Sequence, residues 1–220
     1  MATFEPLTPE RRRAMTREHL LEAAAMVFAR DGFQGSSLDV IASTAGFTKG
    51  AVYSNFKSKD DLFLAVLEDR FERGRAVIRG ALDASDARSP EKWKALVASA
   101  VREAWWDDSW TMLFLEFVLY AARNPQARSK LAAWTRNELR RVEQLIAHEY
   151  EAADTPPRYP PAVFAIISVS MFDGLNMYRL IDPALTSDQT LAAVLQFLSD
   201  AMESDVESDE GSRAIRDALK

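Results

Sequence analysis

Residues 41–56 read IASTAGFTKGAVYSNF, and their spacing is that of a helix-turn-helix. Ala42 is small enough for two helices to approach closely, and Gly46, four residues later, can adopt the positive φ of a tight turn. Val52, six residues further on, is expected to be buried against Ile41. The pattern predicts two short helices joined by a sharp turn, with the second helix projecting outward.

The outer side of that second helix carries side chains that suit DNA. Lys49 offers a cation, Tyr53 offers a hydroxyl to a phosphate, and Asn55 can donate and accept at a base edge. Gly50 permits close approach of the backbone to a duplex. The predicted DNA contacts are Ser37, Thr48, Lys49, Gly50, Tyr53, Ser54, Asn55 and Lys59. The first and last of these begin the flanking helices, where backbone amides favour phosphate.

Helix start and stop signals surround this segment. Thr8–Pro9 resembles an N-cap followed by a first-turn proline, and Asp31–Gly32 is expected to end that first helix. The sequences SSLD at 36–39 and SKDD at 58–61 read as capping boxes, the first with Ser36 as its cap. Thr48, after the turn, is the expected cap of the helix that runs to about Phe56. Three helices are therefore predicted around the turn, with a long fourth helix following them.

The rest of the chain also has helical periodicity. No stretch alternates with period two, and Gly and Pro fall between the periodic segments. Further helices are predicted at 90–106, 109–123, 125–153, 161–181 and 186–202. The fold class is therefore all-α, with a helix-turn-helix domain over 1–60, a helical ligand-binding and dimerisation domain over 61–203, and an acidic tail over 204–220.

Residues 15–67 resemble the N-terminal domain of TetR-family transcriptional repressors. The resemblance rests on three elements: Gly-Phe followed by Ser-Leu, Ile-Ala followed by Ala-Gly, and Tyr-x-x-Phe-x-x-Lys ending at Lys59. It implies an all-helical homodimer with a three-helix DNA-binding domain and a helical ligand-binding body. Asn55 departs from the pattern, because many members carry His or Tyr there. The body resembles the family only in the number and lengths of its helices.

Charge and composition narrow the function classes. The net charge is −6, but residues 1–59 hold eight Lys or Arg against six Asp or Glu, which suits a small anion-binding module. Cysteine is absent, so disulfides, thiolate metal sites and cysteine nucleophiles are excluded. The apolar stretches 110–122 and 162–172 are too short to span a bilayer. A cytoplasmic protein without metal, cofactor, membrane or catalytic site is expected.

Large rings and isolated carboxylates suggest a ligand cavity in the body. Four of the five Trp lie within Trp93–Trp110, and such rings either fill a core or line a pocket. Glu116 and Asp173 interrupt apolar helices, either as partners of an arginine such as Arg179 or Arg123, or as anchors for a ligand. The predicted pocket residues are Trp106, Trp110, Phe114, Glu116, Phe117, Phe172, Asp173, Asn176 and Tyr178. A neutral or cationic hydrophobic effector fits the acidic body.

The last two long helices are the predicted dimer interface. The helix at 161–181 is apolar nearly all round, and the helix at 186–202 has one broad apolar face. Paired with their symmetry mates they would form a four-helix contact. The predicted interface residues are Val163, Ile167, Leu191, Val194, Leu195, Leu198 and Met202.

The favoured function is a ligand-responsive repressor that binds a pseudo-palindromic operator in double-stranded DNA as a homodimer. Two alternatives are an all-α enzyme acting on a hydrophobic substrate and a helical interaction scaffold without DNA function. The enzyme lacks a positioned base or nucleophile, and the scaffold leaves the outer side of the second helix unexplained. Arg11–Arg13 is either a DNA-contacting arm or the solvated first turn of a helix.

Overall fold

The computed structural model describes residues 8–84, 99, 102, 107–152 and 159–203, and these residues form helices and short connections without a strand. The helices are α1 (Pro9–Gly35), α2 (Leu38–Thr44), α3 (Lys49–Asn55), α4 (Lys59–Ala84), α5 (Asp108–Arg123), α6 (Pro125–Ala152), α7 (Pro161–Ile181) and α8 (Asp188–Glu203). A 3₁₀ turn, Pro183–Thr186, precedes α8. The all-α prediction is confirmed. Most of the predicted helix at 90–106 and the tail at 204–220 lie outside the described residues.

Three helices begin at the predicted side-chain caps. The Oγ1 of Thr8 accepts a hydrogen bond from the backbone N of Arg11 at 3.3 Å, and Pro9 occupies the first turn of α1. Thr48 caps α3 in the same way, again at 3.3 Å. The Oγ of Ser58 accepts from a backbone N three residues later at 3.1 Å and begins α4. Each cap satisfies one amide that the helix itself leaves without a partner.

The predicted cap of α2 is wrong by one residue. The cap is Ser37, whose Oγ accepts from the backbone N of Val40 at 3.2 Å. Ser36 is buried, and its hydroxyl donates to the carbonyl of Phe33 at 2.8 Å. The sequence does not distinguish the two serines, because both directly precede the same helix. The path of the preceding chain decides which hydroxyl reaches the α2 amides.

The long helix α1 is interrupted at Gly32, close to the predicted stop. Gly32 has φ 73° and ψ 173°, which lies outside the helical region and favours glycine. Beyond it the chain makes one more turn and then enters α2. The residues from 32 to 37 are here called the α1–α2 connection, and the helical conformation of α1 is broken at its first residue, Gly32.

By compactness the chain divides into two units. One comprises Met1–Gly74 and Ser109–Leu131, and the other comprises Arg75–Asp108 and Ala132–Lys220. The sequence instead places a boundary at residue 60. The difference arises because the first part of α4 and most of α5 supply apolar side chains to the core of the N-terminal helices.

An aromatic cluster forms the centre of the first unit. The rings of Phe28, Phe33, Phe63 and Phe117 are fully buried. The ring centroid of Phe117 lies 4.3 Å from that of Phe63 and 4.8 Å from that of Phe33. Tyr120 contacts the same group, 4.9 Å from Phe33. Such edge and offset contacts stabilise a core beyond the area they bury.

The second unit has its own apolar cluster. Ile146, Phe164, Ala165 and Leu198 are buried together, joining α6, α7 and α8. Its ion pair between α4 and α6 joins Arg75 to the buried carboxylate of Glu138.

The helix α7 has 21 residues, longer than the apolar stretch that the sequence suggests. In the part of the chain that the structure describes, it is the one helix long and apolar enough to cross a membrane, with a mean hydropathy of 1.2 over 18 residues. The extra length comes from residues beyond 172, because the helix continues through Asp173 and Arg179.

Candidate nucleic-acid interface

The α2–α3 pair has the predicted helix-turn-helix geometry. Ile41, Ala42 and Val52 are buried, and Gly46 adopts φ 73°. The turn is closed by the backbone N of Phe47, which donates to the carbonyl of Ala42 at 2.9 Å. The apolar side of α3 is thereby held against α2, and its opposite side is exposed. The four structural roles read from residues 41–56 are confirmed.

Four exposed residues lie at the start and middle of α3. They are Thr48, Lys49, Gly50 and Tyr53, the last of which is 52% exposed. A side chain at Gly50 would meet the Thr48 hydroxyl at 3.7 Å, an ordinary contact. The free fold therefore tolerates a Cβ at Gly50, and close approach of a duplex at this position stays a prediction.

The ammonium of Lys49 pairs with Asp39 on α2. Its Nζ lies 2.9 Å from the Asp39 Oδ2, and both side chains are more than half exposed. The hydrogen bond that the ammonium donates to Asp39 raises the pKa of Lys49, so the ammonium remains charged at neutral pH. An exposed pair of this kind is weak and a phosphate can replace the carboxylate. The sequence did not predict that Asp39 pairs with Lys49, although the two residues lie only ten positions apart.

Ser54 and Asn55 point back to their own helix. The hydroxyl of Ser54 donates to the carbonyl of Ala51 at 2.9 Å, and the Asn55 Nδ2 donates to the same carbonyl at 2.8 Å. Asn55 is also only partly exposed. Its amide nitrogen is thus already hydrogen-bonded to the α3 backbone, and the predicted base contact at this position stays a prediction.

The Lys59 ammonium is bound within its own unit, and the phosphate contact predicted from the backbone amides at the start of α4 stays a prediction. Its Nζ donates to the carbonyls of Phe33 at 2.7 Å and Ser36 at 3.0 Å. The ammonium also lies 4.5 Å from the centroid of the Phe33 ring. Partial burial lowers the pKa of Lys59, although Asp60 opposes this shift. The side chain therefore holds the α1–α2 connection.

The first turns of α1 add exposed positive charge to the same unit. Arg11, Arg12 and Arg13 are exposed and helical. One turn later the guanidinium of Arg17 lies 4.5 Å from the centroid of the Phe56 ring, at the end of α3. This side of α1 therefore adjoins α3, and both interpretations of Arg11–Arg13 remain open.

The predicted pocket residues belong to two units. Glu116 and Phe117 lie in the first, where Phe117 is buried in the aromatic cluster. The Glu116 oxygens accept from the backbone N of Phe33 and of Gln34, so neither an arginine nor a ligand is needed to explain this carboxylate. The first unit also holds Trp110 and Phe114, and Trp106 lies outside the described residues.

The remaining pocket candidates lie on α7. Phe172 packs against the apolar cluster of the second unit, and Tyr178 is half exposed. Desolvation raises the pKa of Asp173. The Asn176 Nδ2 donates to the carbonyl of Phe172 at 3.1 Å, and its buried Oδ1 has no partner among the described residues. Arg179 pairs with Asp108 at 2.6 Å rather than with Asp173. Polar groups at this helix thus remain available to a ligand.

Three of the predicted interface residues are buried within their own chain. They are Val163, Leu191 and Leu198. Val194 and Leu195 are partly buried, Ile167 is exposed, and the side chain of Met202 lies outside the described residues. The apolar side chains that are exposed on these helices are Ile166, Ile167, Met177, Ile181 and Phe197. We call them the exposed apolar face. Helical spacing alone did not distinguish the two sides of α7, because both are apolar.

Residues 20–66 match the family model described as bacterial regulatory proteins, tetR family. The HTH-type transcriptional regulator YfiR of Bacillus subtilis is 25% identical over 73% of this chain and 82% of that protein. The HTH-type transcriptional regulator AcrR of Shigella flexneri is 45% identical, over 24% of this chain and 25% of that protein. High identity is thus confined to a short segment.

Solved structures extend the similarity along most of the chain. The multidrug binding protein EbrR, solved in complex with imidazole, superimposes with a TM-score of 0.61 and 25% sequence identity. That match covers 89% of this chain and 97% of the EbrR chain. The helices beyond α4 are therefore shared with a ligand-binding protein, and not the helix-turn-helix alone.

Proposed function

Because the chain belongs to the TetR family of bacterial transcriptional regulators, we propose that it is a repressor that binds a pseudo-palindromic operator as a homodimer. A hydrophobic small molecule releases it from that operator. The proposal locates the protein in the cytoplasm and assigns it no catalytic reaction. The relatives and solved structures named above do not favour the enzyme and scaffold alternatives.

The exposed side of α3 carries the proposal. It combines a charged ammonium at Lys49, hydroxyls at Thr48 and Tyr53, and open backbone at Gly50. Arginine and lysine at a helix that projects from a helix-turn-helix supply phosphate contacts, and hydroxyls add hydrogen bonds. In this interpretation the Asp39 carboxylate holds Lys49 until phosphate replaces it.

The exposed apolar face supports the dimer. Ile166, Met177 and Ile181 project from one side of α7, and Phe197 projects from α8. Between the first two lies Gly174, where a Cβ would find no atom within 4 Å. Apolar side chains at this density are usually covered by a partner, and a second copy supplies an identical face. Contact between copies also accounts for apolar side chains on more than one side of α7.

Substitutions on the two sides of α7 and α8 should have different effects. We expect Ile166→Arg and Phe197→Arg to yield folded monomers, because each adds a guanidinium to the exposed face. Leu198→Arg should instead lower the melting temperature, since Leu198 is buried with Phe164. Analytical ultracentrifugation at micromolar concentration measures the first effect and circular dichroism the second. Leu145→Arg on α6, half exposed, is the matched control. Folded dimers of both exposed-face variants would contradict the interface.

The effector is proposed to be a neutral or cationic hydrophobic molecule. EbrR is described as a multidrug binding protein, which supports a role for the corresponding helices in ligand binding. On α7, Phe172 offers an apolar surface, and Asp173 and the unpartnered Asn176 Oδ1 offer acceptors. To shift the repressor strongly, the ligand must bind the released conformer more tightly by several kcal/mol.

The test of the function is selection of duplexes from a random 30-base-pair library by the full-length protein. We expect enrichment of a two-fold symmetric sequence, with half-sites about one helical turn, or 34–36 Å, apart. Footprinting on the selected duplex should show two protected major grooves. Enrichment of an unsymmetric sequence would contradict the homodimer, and no enrichment at all would contradict the function.

A further inference from the structure

A carboxylate on α5 binds the α1–α2 connection. The Glu116 Oε2 accepts from the backbone N of Phe33 at 2.9 Å, and the Oε1 accepts from the backbone N of Gln34 at 2.7 Å. Phe33 and Gln34 each precede Glu116 by more than 80 positions in the sequence. Each carboxylate oxygen thus accepts a hydrogen bond from one of two consecutive amides, and this bidentate contact restrains both the position and the orientation of the connection.

This contact depends on the glycine that interrupts α1. At Gly32 the positive φ turns the following amides out of the helical ladder and toward α5. A Cβ at Gly32 would lie 2.7 Å from the Glu116 Oε2, closer than real Cβ atoms approach an oxygen. Glycine is therefore required at position 32 for two reasons: the backbone has a positive φ, and the Glu116 carboxylate occupies the space of a Cβ.

The acceptors of the same connection are bound from the other side. The Lys59 ammonium, at the start of α4, donates to the carbonyls of Phe33 and Ser36. The next residue, Ser37, is the cap of α2. The segment immediately before the helix-turn-helix is thus held through its amides by α5 and through its carbonyls by α4.

We propose that Glu116 is a positioning residue for operator binding. It fixes the α1–α2 connection, and through the Ser37 cap it sets the position of α2 and α3. Each of those helices has seven residues, too few to hold a geometry without neighbours. Base readout requires accurate placement of α3, so a looser connection reduces specific binding more than general attraction to DNA. This inference rests on the proposed function.

The decisive variant is Glu116→Gln, because electrostatics and positioning predict opposite results. Removal of a negative charge from a DNA-binding protein should by itself strengthen binding to any duplex. Positioning predicts the reverse, since a Gln side chain offers one acceptor and presents an NH₂ to the second amide. We expect affinity for the selected 30-base-pair duplex to fall by about tenfold, or 1.4 kcal/mol. Affinity for an unrelated duplex of equal length should fall less or rise.

Two further variants separate positioning from loss of folding. Glu143→Gln on α6 removes the same charge and should leave the ratio of specific to unrelated binding unchanged. Gly32→Ala should lower the ratio by more in the wild-type background than in Glu116→Ala, because the positive φ strains both proteins but the clash with the carboxylate needs both side chains. Hydrogen exchange at the amides of Phe33 and Gln34 should accelerate in Glu116→Gln, while buried amides of α7 keep their protection.

An unchanged binding ratio in folded Glu116→Gln would overturn the positioning role. Additive effects of Gly32→Ala and Glu116→Ala would overturn it as well. Wild-type protein that selects no duplex would instead reject the proposed function, and the positioning role with it. Because exchange at Phe33 and Gln34 reports the contact without DNA, the two failures are distinguishable.

Discussion

Phe117→Ala is expected to lower the free energy of unfolding of the first unit by about 3–5 kcal/mol. The ring of Phe117 is fully buried, and its centroid lies 4.3 Å from that of Phe63 and 4.8 Å from that of Phe33. Its removal leaves a cavity among rings that cannot collapse without moving α1, α4 and α5. Urea unfolding followed by circular dichroism measures the change.

Leu119→Ala is the matched control on the same helix. Leu119 is 60% exposed, so its truncation should change the free energy of unfolding by less than about 0.5 kcal/mol. A stable Phe117→Ala protein with impaired response to hydrophobic ligands would instead place Phe117 in a pocket, as the sequence suggests.

Val52→Asp is expected to abolish DNA binding by unfolding the helix-turn-helix. Val52 is fully buried where α3 packs on α2, and an aspartate there would be a buried charge without a partner. Such a charge costs several kcal/mol, a large part of the stability of a small domain. Hydrogen exchange should show loss of protection in α2 and α3.

Tyr53→Asp introduces the same charge at the neighbouring, exposed position and is the matched control for Val52→Asp. Tyr53 is half exposed, so this variant should keep the protection of α2 and α3 while its affinity for DNA falls through repulsion of phosphates. Equal protection in the two variants would contradict the burial of Val52 against α2.

The local elements of the first unit were predictable from the sequence. Thr8, Gly46, Thr48 and Ser58 act over three or four residues, and each occupies the predicted role. Side-chain caps and positive-φ glycines depend on neighbours in the chain, which the sequence displays directly. The family resemblance over residues 15–67 is likewise confirmed by the comparisons.

Long-range contacts were not predictable in the same way. A carboxylate in an apolar helix, such as Glu116, indicates a specific partner. Its partners here are backbone amides, which every residue except proline carries, so the sequence cannot identify them. Lys59 begins a helix, which is why the sequence predicts a phosphate there, but the sequence does not show that its ammonium donates to carbonyls 23 to 26 residues away. Phe117 and Leu198 have the apolar character of pocket or interface residues, and only burial assigns them to the core.

Titration of the selected duplex with wild-type and Lys49→Ala protein at several salt concentrations is the most direct test that α3 binds DNA. Because Lys49 is exposed and its ion pair with Asp39 is exposed as well, its loss should leave the fold intact. We expect weaker binding and a slope of log affinity against log salt that is smaller by about one, as for a lost phosphate contact. Asp39→Asn should bind more tightly than wild type. Equal affinity and equal salt slope for wild type and Lys49→Ala would contradict the assignment of α3 to the DNA interface.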